Sequence, residues 1–81
     1  MNVTLKSTQS PTSTIVSLNG LDVLFSYQTA VAYRDGGAWT VSENIWSNTT
    51  GKHITQETGV PREHRIPNSE FVQRLQSALG R

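Results

Sequence analysis

The stretch TIVSLNGLDVLF, residues 14–25, decides the fold. Two runs rich in β-branched and large apolar residues flank Asn19-Gly20. Both central residues of a type I′ hairpin turn need positive φ, and Asn and Gly tolerate it at the lowest cost. Strands are therefore expected at about 14–18 and about 21–26. Toward the C-terminus the pattern continues as TAVAYRDGGAWTV, residues 29–41. Alternation puts Thr29, Val31 and Tyr33 on one side and Ala30 and Ala32 on the other. Asp35-Gly36-Gly37 supplies a second turn with a permissive backbone. Trp39 and Val41 then share parity in the returning strand. The expectation is an antiparallel meander of three to four strands, built from local connections. One face should carry large side chains and the other a mixture.

Toward the N-terminus, residues 3–6 read as a short strand. STQSPTST, residues 7–14, reads as a polar loop, with Pro11 opposing a continuous strand. The far end of the chain is a helix. Asn68 or Ser69 is a candidate N-cap, and Glu70 falls in the favourable first turn. Phe71, Val72, Leu75, Ala78 and Leu79 recur at helical spacing, while Gln73, Arg74, Gln76 and Ser77 occupy the solvent side. Gly80 suits the position after the helix. Packing that stripe on the sheet gives an α+β domain, since a lone meander is only marginally stable.

Between these parts lies ENIWSNTTGKHITQETG, residues 43–59, which admits two readings. Thr49 or Thr50 caps a short helix over 50–58, or residues 52–56 form a strand, since Gly51, Ile54 and Thr55 weaken a helix. Gly59 ends either element. The segment VPREHRIP, residues 60–67, is extended or turn-like between Pro61 and Pro67.

The chain has 81 residues, of which 35% are hydrophobic and 16% charged, with a net charge of +1 and no cysteine. That suits a single domain over residues 1–81. It excludes disulfide staples, a thiol nucleophile and soft metal ligation. So small a core leaves a thin stability margin, and association, with a homodimer as the simplest case, is one way to widen it. MNVTLKSTQS at the start lacks the apolar run of a signal peptide, and no window is apolar over a bilayer's thickness. A cytoplasmic protein without membrane contact is the expectation.

Catalytic patterns are missing. Thr50-Gly51-Lys52 resembles the end of a phosphate loop, but the upstream glycines are absent and His53 follows. His53 and His64 lack the converging ligands of a metal site. There is no G-x-S-x-G elbow around any serine. No enzyme activity, no cofactor and no metal are expected. Charge is more informative: residues 1–21 carry +1, residues 22–59 carry −2 and residues 60–81 carry +2. Lys52, His53, Arg62, His64 and Arg65 form a candidate basic patch near Trp46. Tryptophan and arginine are frequent interface anchors, and the same pair of chemistries stacks a base and holds a phosphate.

One block, Phe25-Ser26-Tyr27-Gln28-Thr29-Ala30-Val31-Ala32, is followed by another, Trp46-Ser47-Asn48-Thr49-Thr50-Gly51-Lys52-His53-Ile54. Together they resemble a family of small uncharacterised proteins of phages and mobile elements. In that family an SYxTxVA strand precedes an S-x-TT-x-KH segment. The resemblance covers roughly residues 20–55, with Ser47, Thr50, Lys52 and His53 on its most distinctive segment. It implies a phage or prophage setting and no particular activity.

The expectation drawn from all this is a non-enzymatic, phage-type accessory protein that binds a host or phage protein. Its candidate interaction residues are Trp46, Ser47, Thr50, Lys52, His53, Arg62 and Arg65. The alternatives are a small nucleic-acid-binding domain using the same patch, and a structural or assembly component of a phage particle.

Overall fold

The computed structural model describes residues 3–6, as strand backbone, and residues 12–80. Five antiparallel strands form one sheet in the order of the chain: β1 (Val3–Lys6), β2 (Ser13–Leu18), β3 (Leu21–Ser26), β4 (Thr29–Asp35) and β5 (Thr40–Val41). Two α-helices follow, α1 (Asn48–Thr58) and α2 (Asn68–Leu79), with a 3-10 turn at Arg62–His64 between them. This is the α+β meander with a C-terminal helix. It has one strand more than the upper expectation, because the sheet counts both short edges.

The β2–β3 hairpin turns as its sequence dictates. Asn19 sits at φ 50° and Gly20 at φ 88°, and Leu18 pairs with Leu21 across them. Of the polar loop expected at residues 7–14, residues 7–11 with Pro11 lie outside the described residues, while Ser13 and Thr14 already belong to β2.

Both faces of the sheet are covered. The face toward α2 carries large apolar side chains and the face toward α1 is mixed, as expected, with Ser13, Ser17, Asp22 and Ser26 beside Ile15 and Leu24. Ile15, Leu24, Ala32 and Val41 are directly paired in register and therefore share a face. Ile54 of α1 packs onto them and is fully buried. Leu21, Val23, Phe25, Ala30 and Tyr33 face the other way, against Leu75 and Ala78 of α2. The Tyr33 and Phe71 rings meet there at 5.9 Å between centroids.

The expected alternation in β4 breaks at a bulge. Leu24 pairs with Ala32 and Phe25 with Ala30, so Val31 is the extra residue. Val31 and Ala32 consequently enter the α1 cluster together, while Ala30 and Tyr33 enter the α2 cluster. A strict period of two cannot report a residue that leaves the ladder.

Residues 48–58 are helical, which decides between the two readings of the middle segment. The cap is Ser47, two or three residues earlier than expected: its Oγ accepts from the Thr50 amide at 3.2 Å. Gly59 ends α1 at φ 68°, a left-handed position that favours glycine.

The α2 stripe is narrower than its periodicity suggests. Phe71 and Ala78 are buried and Leu75 partly so, but Val72 and Leu79 are exposed. Neither expected cap works on its helix. The Asn68 amide instead donates to the fully buried Ser42 Oγ at 3.0 Å, and Pro67 occupies the cap position. Gly80 stays right-handed at φ −82°. Ile66 forms a parallel bridge with Ser42: its amide donates to the Val41 carbonyl at 2.9 Å and its carbonyl accepts from Glu43 at 2.7 Å. The outer edge of β5 is thereby occupied at that point by the chain itself.

Candidate functional site

Thr50, Lys52 and His53 lie on α1 and Ser47 caps it, but the helix separates them. Residues i and i+3 share a helical face, so Thr50 and His53 point together into the sheet. They are 4% and 2% exposed. Lys52, between them in sequence, is turned outward.

On the inner side, hydrogen bonds link four segments. Ser26 Oγ, at the end of β3, lies 2.7 Å from His53 Nδ1 and 2.9 Å from Thr50 Oγ1. Thr12 Oγ1, just before β2, lies 2.9 Å from His53 Nε2. Ser47 Oγ donates to Thr50 Oγ1 at 3.3 Å. A neutral imidazole donates from one nitrogen and accepts at the other, and hydroxyls serve in either role, so the set is satisfiable in both tautomers. Among the described residues no buried side-chain nitrogen or oxygen lacks a partner. The Tyr27 ring lies against this cluster, 5.8 Å from the imidazole, with its backbone at φ 57° and its amide donating to the Thr12 carbonyl at 2.7 Å.

A serine hydroxyl at this distance from an imidazole has the geometry of a nucleophile and its base. Here both groups are closed off from solvent, Ser26 at 2% exposure and His53 at 2%. What the arrangement does physically is fasten α1 to the sheet. Among the described residues no group of three or more His, Cys, Asp or Glu is placed to hold a metal ion, and no helix is long and apolar enough to cross a membrane.

On the outer side of α1 runs a shallow groove. Its walls include Asn44 and Trp46 from the β5–α1 connection, Lys52 and Gln56 from the helix, and Val60 and Arg62 beyond it. Trp46 is 38% exposed and its neighbour Ile45 is 57% exposed. Arg65 also reaches the groove, but its guanidinium is engaged: Nε and Nη2 donate to the Val60 carbonyl at 3.2 and 3.0 Å, and Nη2 to Thr55 Oγ1 at 3.3 Å. It braces the wall. Lys52 and Arg62 are exposed and have no ion-pair partner among the described residues.

Asn44 shapes the N-terminal end of the groove. Its amide donates to the Ser47 carbonyl at 2.8 Å, and its Oδ1 accepts from the Trp46 amide at 3.0 Å. A Cβ at Gly51 would stand 2.9 Å from Asn44 Nδ2, so the glycine leaves room for that side chain. Its presence inside α1 follows from this close approach.

Residues 2–73 match the family of unknown function DUF8033. The chain belongs to this family. No curated protein and no solved structure matches it. In this DUF8033 member the seven expected interaction residues thus divide. Trp46, Ser47, Lys52, Arg62 and Arg65 line the groove, while Thr50 and His53 are buried behind it. His64 is exposed and is not among the groove's lining residues. Sequence reasoning left Thr12, Ser26 and Tyr27 out of the site. The signal for the last two lay in the paired blocks, because Ser26-Tyr27 of the first block touches Thr50 and His53 of the second.

Proposed function

We propose that this chain is a non-enzymatic accessory protein of a phage or mobile element that acts by protein–protein interaction in the host cytoplasm. Its docking surface is the groove beside α1. The observation that carries this reading is the gathering of a part-exposed tryptophan and two cations without ion-pair partners, Trp46, Lys52 and Arg62, around one concave surface. Tryptophan and arginine are enriched among the few side chains that carry most of the energy at protein interfaces. The inward half of α1, held by Ser26, Thr50 and His53, keeps that surface rigid in advance, which lowers the ordering cost of binding. The phage setting rests on the resemblance of the blocks at residues 25–32 and 46–54. Self-association as a homodimer belongs to the same reading, and light scattering on the purified chain reads it directly.

The test is a photo-crosslinker placed at Gln56, within the groove, in the full chain. Crosslinking to a host protein should fall at least tenfold on Trp46→Ala and on Lys52→Ala, and survive Val72→Ser on α2. Crosslinks that ignore all three changes overturn the groove as the docking surface. A parallel titration with single- and double-stranded oligonucleotides at two salt concentrations covers the alternative partner. Salt-dependent binding lost on Lys52→Ala and Arg62→Ala would replace this reading with a nucleic-acid one.

A further inference from the structure

Building on the groove reading, we infer that the occupant is an extended, acidic peptide segment of the partner protein, with one apolar side chain seated on Trp46. The dimensions come from α1. Trp46 precedes the first turn and Arg62 follows the last, with Lys52 between them. The 11 residues of the helix rise about 1.5 Å each, and an extended chain advances about 3.3 Å per residue, so roughly five peptide residues cover its length.

The charges select the sign. Lysine and arginine contribute three positive groups to the lining, Lys52, Arg62 and Arg65, against one carboxylate, Glu43. Arg65 is fixed on backbone and Thr55, so Lys52 and Arg62 are the two cations available to carboxylates. The first turn of α1 contains no acidic residue, and its amide end adds positive potential at the Trp46 side. Arg62 presents a planar fork suited to a carboxylate, and Lys52 a compact point charge.

A long polyanion fits less well. Strand binding draws on a run of stacking aromatics and on many phosphate contacts. Trp46 is the aromatic side chain in this lining, and the net charge of the whole chain is +1. A peptide with two or three carboxylates needs only the cations present.

The experiment selects heptapeptides from a random yeast-displayed library on the immobilised full chain. The enriched peptides are then synthesised, labelled and titrated by fluorescence anisotropy. The expected sequences carry two or more Asp or Glu around an aliphatic or aromatic residue. Their affinity should fall at least tenfold on Lys52→Glu/Arg62→Glu and on Trp46→Ala. Peptides with Lys replacing the acids should bind the charge-reversed variant more tightly than they bind the parent. This reciprocal gain also shows that the variant is folded. Neutral or basic peptides that still depend on Trp46 overturn the acidic occupant and leave the groove reading standing. Failure to enrich any peptide overturns the peptide occupant and leaves the groove reading to the crosslinking test, whereas binding indifferent to Trp46, Lys52 and Arg62 overturns both. A twenty-nucleotide oligothymidine that displaces the peptide and binds more tightly overturns the peptide in favour of single-stranded nucleic acid.

Discussion

His53 lies where α1 crosses the end of β3, with a hydroxyl on each ring nitrogen, Ser26 on Nδ1 and Thr12 on Nε2. A buried polar group left without its partner costs about 1–3 kcal/mol, more than the bond itself contributes. Ser26→Ala removes a hydroxyl that touches both His53 and Thr50. It should destabilise the protein by about 2 kcal/mol, read as a lower urea midpoint at unchanged slope. Exposed His64→Ala, the control, should shift the midpoint by less than about 0.5 kcal/mol. Equal shifts for the two histidine-linked changes would show that the buried network holds nothing together. The sequence placed these residues in adjacent motifs but not on opposite sides of one contact. Hydrogen bonds between residues 24 to 41 positions apart leave no local periodicity to read.

At the scale of an element, α1 is the part least legible beforehand. Its interior glycine and β-branched residues lower helix propensity, so local preference leaves helix and strand balanced. Tertiary contacts tip the balance: Ile54 into the sheet cluster, His53 and Thr50 onto Ser26, and a cap from Ser47. The hairpin of β2 and β3 is the opposite case, since Asn19-Gly20 specifies its own turn and the strands take their register from it. Gly51 tests how α1 is balanced. Gly→Ala inside a helix is worth about 1 kcal/mol, but here the new Cβ meets Asn44 Nδ2 and displaces its bond to the Ser47 carbonyl. Gly51→Ala should therefore gain little alone. In an Asn44→Ala background the same change should stabilise by about 1 kcal/mol, so the double-mutant cycle is non-additive by a comparable amount. Strict additivity in thermal melts would show that Asn44 does not compete for that space. Ser47→Ala, removing the cap, should cost about 1 kcal/mol in the same melts.

At the scale of the whole molecule, the sheet is a partition with one helix on each side. The meander and the C-terminal helix were legible because hairpin turns and a 3.6-residue period are local signals. The second cover was not, and neither was the groove behind it. Both depend on which face of β4 Val31 takes at the bulge and on where α1 lands. α1 is anchored through Ile54 and α2 through Leu75 and Ala78, with Phe71 against the Tyr33 ring, and the two clusters share no buried residue. The sheet between them is hydrogen-bonded and close-packed, so small losses on one face should not be relieved by the other. Ile54→Val and Phe71→Leu each remove apolar contact without abolishing the fold, at about 1 kcal/mol apiece. For a domain of this size each should lower the melting temperature by about 4–8 °C. The double variant should show the sum to within about 0.5 kcal/mol, the limit for sites without shared partners. A shortfall or excess beyond that would mean that strain crosses the sheet. In that case ligand contact on the outer side of α1 would be felt at α2. Additive losses instead leave α1 with its groove energetically separate from the α2 side of the sheet, so variants at Val72 or Leu79 should leave groove binding unchanged while altering only stability or self-association.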